Sequence, residues 1–141
     1  MSQISKAGQE VDITKIAPQQ LQELAKAIEE EIRQLSVHYQ QLVAAIKKFT
    51  ESKQALSFMD ERGKGAEVLV PLTSSLYVPG VLEENSCIML EVGAGYFIEK
   101  DTAGALDYCE RKQKGLQENT NKVGEIIAHK KMQLGKVTNE Y

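Results

Sequence analysis

Few residues in this chain are spaced for chemistry. Gly93-Ala94-Gly95 carries the first two glycines of a dinucleotide fingerprint, but no third glycine follows and no helix begins there, so it reads as a hairpin turn. Gly63-Lys64-Gly65 lacks both the upstream glycine and the following Ser or Thr of a phosphate-binding loop, which leaves no nucleotide site to drive an ATP cycle. His38 and His129 have no carboxylate or cysteine at metal-ligand spacing and read as surface-facing helical histidines. Cys87 and Cys109 form no CxxC pair, which fits a reducing compartment with both thiols packed or idle. No serine sits in a nucleophile-elbow context, and Glu29-Glu30-Glu31 and Lys130-Lys131 read as solvated helix faces. The expectation is a protein with no catalytic residue, no metal and no cofactor, and no enzyme activity.

The elements around these residues are more informative. The 141 residues suffice for one domain. A net charge of −3 argues against nucleic acid or an anionic membrane as partner. Aromatics make up only 6% with no Trp, thin for a compact core and usual for helices packed along narrow seams. No apolar run approaches the ~20 residues needed to cross a bilayer, and the first residues lack the apolar centre of a signal peptide.

Residues 18–60 are rich in Gln, Glu, Ala and Lys and, after Pro18, free of Gly and Pro. Counted from Ile28, the positions Ile28, Ile32, Leu35, Tyr39, Leu42, Ile46, Phe49, Lys53 and Leu56 step by alternating fours and threes, with Ala25 and Leu21 continuing backwards. That is a heptad seam interrupted only by Lys53. Pro18 suits a first helical position, Ala17 is a poor cap, and Gly63 and Gly65 end the helix. Leu106, Cys109, Gln113, Leu116, Thr120, Val123, Ile127, Lys130, Leu134, Val137 and Tyr141 repeat the spacing. Gln113, Thr120 and Lys130 are polar seam positions, and Gly104, Gly115, Gly124 and Gly135 each cost about 1 kcal/mol relative to Ala, so this helix is expected to be the weaker and more bendable partner. Thr102, after Asp101, is the expected N-cap. Helices of roughly 65 and 57 Å at 1.5 Å per residue can fold back as an antiparallel two-stranded coiled coil, bringing both termini to one end.

Between the helices, residues 68–72 and 76–78 flank Thr73-Ser74-Ser75, and residues 87–92 and 96–100 flank Gly93-Ala94-Gly95. These are two β-hairpins. Pro71 and Pro79 cannot donate to a ladder and belong at edges or strand ends. Four short strands cannot close a barrel, and their apolar residues exceed what two hairpins can bury, so the sheet needs another subunit. Near the termini, Ile4, Val11, Ile13 and Ile16 precede the first helix, and Met132, Leu134, Val137 and Tyr141 close the last. Either Leu134 and Val137 continue the seam beside a disordered N-terminal group, or the coiled coil frays and offers adaptable apolar contacts, a role that suits Met.

The segment Leu69-Val70-Pro71-Leu72-Thr73-Ser74-Ser75-Leu76-Tyr77-Val78-Pro79-Gly80, then Val92-Gly93-Ala94-Gly95-Tyr96-Phe97-Ile98-Glu99-Lys100 and Ala105-Leu106-Asp107-Tyr108, resembles the subunit 5 branch of the α-type prefoldin family. The architecture covers residues ~13–139 and the specific motifs about 30 central residues. The resemblance implies an α+β fold, a long antiparallel two-helix coiled coil joined by two β-hairpins that complete an intersubunit β-barrel. It implies one prefoldin α-type domain, with helices over 13–62 and 102–139 and hairpins over 66–100. The implied assembly is a hexamer with one further α-type and four β-type subunits, a co-chaperone that works without ATP. It would hold unfolded actin- and tubulin-like polypeptides at its tips and pass them to the cytosolic group II chaperonin. Carried onto this chain, Val68, Val70, Leu72, Leu76, Val78, Ile88, Leu90, Val92, Tyr96 and Ile98 become the assembly surface. Ile4, Val11, Ile13, Ile16, Met132, Leu134, Val137 and Tyr141 become the client-contact tips. The expected location is the cytoplasm, with a nuclear pool left open, and neither nucleic acid nor membrane is an expected partner. The alternative is a scaffold α-type subunit of a prefoldin-like complex in assembly or transcription.

Overall fold

A computed structural model describes residues 3–6, 9–83 and 87–140, with side chains from residue 12 onward except residue 13. The element order is β1 (Gln3–Lys6), β2 (Gln9–Asp12), a 3-10 turn (Ile13–Lys15), α1 (Pro18–Arg62), β3 (Glu67–Pro71), β4 (Tyr77–Val81), β5 (Ile88–Gly93), β6 (Tyr96–Lys100) and α2 (Thr102–Asn139). The strands form three separate antiparallel pairs, β1–β2, β3–β4 and β5–β6. The chain makes two compact units, one of residues Met1–Ala44 and Leu116–Tyr141 and one of Ala45–Gly115. Among the described residues no helix is long and apolar enough to cross a membrane.

In the first unit, Leu21, Ala25 and Ile28 of α1 pack with Val137 of α2, and Ile16, Leu24, Ile32 and Leu134 lie against them. Lys130 donates to Glu31 across the helices. Ascending positions on α1 meet descending positions on α2, so the helices pair antiparallel in this unit. In the second unit, Leu56, Ala105 and Cys109 form the buried cluster, with Phe49, Leu106, Tyr108, Ile88 and Leu90 around it. Phe49 and Tyr108 meet edge to face at 6.4 Å between centroids.

The polar seam positions are tolerated because each has a partner. Gln113 donates to the Thr50 hydroxyl. Thr120, 3% exposed, donates to the Leu116 carbonyl one turn back at 2.7 Å. Lys53 reaches Glu110 at 3.5 Å. A buried polar group left without such a bond costs about 1–3 kcal/mol, so these pairs make the substitutions bearable without making them favourable. On α2 the helix runs unbroken through its four glycines, and Gly124 lies under the Tyr39 ring, 3.6 Å from where a β-carbon would stand.

Three details near the element ends differ from the sequence reading. The first helix begins at Pro18, as the proline suggested, rather than at residue 13, the bound that the resemblance implied. Proline disfavours helical geometry at the residue before it, and the preceding turn is held separately, with the Thr14 N–H and hydroxyl both donating to Asp12. Those bonds, the hydroxyl's first, lower the Asp12 pKa. The second helix is capped by Asp101, not Thr102. The Asp101 carboxylate accepts the Gly104 N–H at 2.7 Å and its carbonyl accepts the Ala105 N–H at 2.9 Å. Gly104 suits that cap, because a β-carbon there would stand 2.8 Å from the Asp101 carboxylate oxygen. The N-terminal segment, read as disordered in one alternative, pairs its backbone as β1–β2, with Ile4 opposite Val11. At the other end of α1, Gly63 takes a positive φ of 71° and donates to the Met59 carbonyl, closing the helix as expected.

Candidate assembly and client-contact surfaces

The first hairpin pairs Glu67 with Val81, Val68 with Gly80, Leu69 with Pro79, Val70 with Val78 and Pro71 with Tyr77. Beyond the ladder, the Thr73 hydroxyl accepts the Leu76 N–H at 3.0 Å, tightening the loop. Directly opposed residues share a face, so Val68, Val70, Val78 and Gly80 form one side and Leu69, Pro71, Tyr77, Pro79 and Val81 the other. Gly80 makes room for its neighbours, since a β-carbon there would meet Val70 at 3.1 Å. Both sides are apolar. Leu69, Val81 and Leu72 are 70%, 64% and 60% exposed, and a shallow groove of about 430 Å³ runs along Glu67, Val68, Leu69, Pro79, Gly80 and Val81. Antiparallel sheets that face water on one side normally carry polar residues there. This hairpin carries almost none.

The second hairpin pairs Ile88 with Lys100, Met89 with Glu99, Leu90 with Ile98 and Glu91 with Phe97, with a bulge before Gly93. Its turn runs through positive φ at Gly93, Ala94 and Gly95 (127°, 50° and 78°), geometry glycine adopts freely, and the strand β6 rather than a helix follows it. Here the two faces differ. Ile88 and Leu90 lie against the Leu56–Ala105–Cys109 cluster, while Met89 and Phe97 are exposed.

Of the ten residues expected at an assembly surface, Val70, Leu72, Leu76, Val92, Tyr96 and Ile98 are exposed, and Val68, Val78, Ile88 and Leu90 are half-buried. Ile88 and Leu90 have an internal use, joining the hairpin to the helices. The sequence reading followed one face of each strand and so left out Leu69, Tyr77, Val81, Met89 and Phe97, which include some of the most exposed apolar side chains. The alternation that reveals them was present in the sequence, since neighbours of a face must point to the other side.

The eight residues expected at the tips separate in the structure. Val137 is fully buried, and Ile16 and Leu134 are half-buried against its cluster, so these three hold the helices together. Met132 is 65% exposed and Ile126, six residues before it on the same helix, 46%. Ile126 also lines a shallow groove with Glu125, His129, Lys130 and Gln133. The side chains of Ile4, Val11 and Ile13, and all of Tyr141, lie outside the described residues.

The remaining candidates for chemistry are scattered. His38 and His129 are exposed. Cys109 is 2% exposed and burial raises its pKa, which keeps the thiol protonated and unreactive. Cys87 is exposed, and a hydrogen bond to Glu99, followed by burial and the carboxylate's charge, also raises its pKa. What the geometry offers is contact area: apolar surface on strands with open edges.

Known proteins combine these same elements. The prefoldin subunit family model matches residues 19–140. A probable prefoldin subunit 5 of Schizosaccharomyces pombe is 36% identical over 96% of this chain and 90% of its own length. The prefoldin subunit 5 of Homo sapiens is 34% identical over 87% of this chain and 80% of its own. In the cryo-EM structure of filamentous PFD from Methanocaldococcus jannaschii, one chain matches with a TM-score of 0.72 at 25% identity, over 84% of this chain and 98% of that one. Helix, two hairpins and helix, in this order and with this sequence, mean that the chain belongs to the prefoldin family.

Proposed function

We propose that this co-chaperone subunit builds a hexamer with one further α-type and four β-type partners, and that the assembly holds unfolded polypeptides for a chaperonin. That prefoldin subunits associate with one another is a property of the family. The hairpin surface supports the finer picture. Leu69, Leu72, Leu76, Tyr77 and Val81 are all more than half exposed on one two-stranded ribbon. Apolar area in water is unfavourable by about 25 cal/mol per Å², and contiguous patches of this kind mark protein partners. This observation carries the proposal.

Client contact on this reading falls to the first unit. Met132 is the described tip residue best placed for it, because its unbranched side chain adapts to varied apolar partners. Clients of the actin and tubulin class, delivery to the cytosolic group II chaperonin and a cytoplasmic location, with or without a nuclear pool, complete the proposal. Each arm need bind only weakly, because linked arms raise effective concentration. Holding a chain this way involves no bond making or breaking, so no ATP and no catalytic residue is called for.

The test is co-expression with β-type partners, measurement of the mass of the complex, and aggregation of denatured actin in its presence. The expected outcome is a hexamer that suppresses aggregation, with suppression weakened by Met132→Asp while the mass is unchanged. A stable monomer that protects actin unaided overturns the proposal. A hexamer with no effect on actin turns the reading toward a scaffold.

A further inference from the structure

In the first unit the two helices are held tightly toward one end of their seam. Leu21, Ala25 and Ile28 of α1 and Val137 of α2 are each 5% exposed or less, and the Lys130–Glu31 bond joins the helices nearby. Farther back along α2, from Leu116 to Ile127, the contact loosens. Leu116, Val123 and Ile127 are only half-buried, as are Leu35 and Leu42 of α1. The one side chain of this stretch as buried as the end cluster is Thr120, at 3%, and its hydroxyl donates to the Leu116 carbonyl of its own helix. Among the described residues no hydrogen bond or ion pair reaches from residues 116–127 to α1. Gly124 lies within the stretch and Gly115 borders it, and only proline favours a helix less than glycine. Tyr39, a seam position of α1, stands 37% exposed with its ring over Gly124. Few buried apolar contacts are what mark a segment that opens locally.

We infer that α2 opens from α1 over residues 116–127 while the end cluster stays closed, and that this local opening supplies apolar surface for holding an unfolded polypeptide. The inference rests on the client reading above and adds the seam itself to the contacts. Closed, the first unit offers a client little. Its open large apolar side chains, among the described residues, are Val37, Tyr39, Val43, Ile126 and Met132, spread along two helices, while Val137, Ile16 and Leu134 are taken up by the end cluster. Opening uncovers Leu35, Leu42, Leu116, Val123 and Ile127, the apolar seam positions of the stretch. A stripe that stays covered until it is used also avoids the self-association that a large open patch invites. The glycines and the buried threonine then have a use. Apolar or alanine residues there would hold the helices together more firmly and keep the seam shut.

The test is amide hydrogen exchange on the chain assembled with the other prefoldin subunits, paired with binding of denatured actin. A helical stretch this short is not stable in water once off its partner, so opening bares its amides. Those of residues 116–127 are expected to exchange at least about tenfold faster than those of 128–137. Gly115→Ala combined with Gly124→Ala is expected to slow exchange in 116–127 by about tenfold through helix propensity and to leave 128–137 unchanged. The same variant is expected to bind denatured actin about threefold more weakly or worse, since affinity falls with the fraction of chains in the competent state while the other subunits keep their own contacts. Gly135→Ala is the control. Nothing lies within 4 Å of its added carbon, and it is expected to leave both the exchange of 116–127 and actin binding as they were. Uniform exchange from 116 to 137 overturns the inference, as does undiminished actin binding by the double variant once its exchange has slowed. Failure of the unaltered complex to bind actin at all overturns the client reading itself, a distinct result.

Discussion

Two regions of this molecule use the same kinds of residue to opposite ends. Along the helices, Leu21, Ile28, Leu56 and Val137 are all under 10% exposed. On the ribbons, Leu69, Leu72, Leu76 and Val81 are all above half. Composition does not separate them. What does is geometry: a heptad stripe meets a second stripe of matching spacing within the chain, whereas the first ribbon leaves both faces largely exposed and the second has only its Ile88–Leu90 face against the helices. Large apolar side chains are exposed singly along the helices, as at Met132, and in a connected group on the ribbons. There the exposure is contiguous, and the proposed assembly role rests on that contiguity.

The largest effect expected from breaking this contrast is on assembly. Leu69→Asp combined with Tyr77→Asp puts charges at the centre of the first hairpin's outer face. Incorporation into complexes with other prefoldin subunits is expected to fall below detection by native mass spectrometry. Helical content and the protection of Cys109 from alkylation are expected to remain, because neither residue belongs to the seam clusters. Normal incorporation of this variant means that the exposed ribbon face is not where subunits meet.

A single substitution made in both regions sharpens the comparison. Leu56→Ala removes side-chain volume from the cluster with Ala105 and Cys109 and is expected to cost about 2–4 kcal/mol of stability, as for other buried leucines. Leu69→Ala alters a side chain that is 70% exposed and is expected to change the stability of the unassembled chain by less than about 0.5 kcal/mol. Its effect belongs to assembly. Urea unfolding followed by circular dichroism, with and without partner subunits, separates the two. Equal costs without partners mean that the ribbon is packed within the chain after all.

The seam was legible in the sequence almost residue by residue. Tyr39, at 37% exposed, is the described seam position of α1 that is open to solvent, and it lies over Gly124. Period is robust because it sums over many turns. The hairpins were legible as elements, but their surface was read one face at a time. That choice favoured Ile88 and Leu90, which the helices cover, and passed over Met89 and Phe97, which stay open. Which face a helix will cover depends on tertiary packing, and strand alternation alone does not carry that information. The cap on α2 escaped for a related reason. Asp101 and Thr102 are both good capping residues, and the Asp101 carboxylate occupies the space left by the missing β-carbon of Gly104, three residues further on.

The glycines of α2 give the finest test, because the sequence alone makes them equivalent and the structure does not. At Gly115 and Gly135 nothing lies within 4 Å of where a β-carbon would stand, so alanine there gains helix propensity without a clash, about 1 kcal/mol each. At Gly124 the Tyr39 ring at 3.6 Å is in ordinary contact distance, and alanine is again expected to stabilise, by a similar or slightly smaller amount. At Gly104 the new carbon would stand 2.8 Å from the Asp101 carboxylate oxygen and 3.1 Å from the Lys100 side chain. Alanine there must displace the carboxylate that caps the helix, and loss of such a cap costs about 1 kcal/mol, enough to cancel the propensity gain. Thermal unfolding of the four single variants is expected to show three raised midpoints and one unchanged or lowered. If Gly104→Ala rises with the others, the Asp101 cap contributes nothing to where the second helix begins.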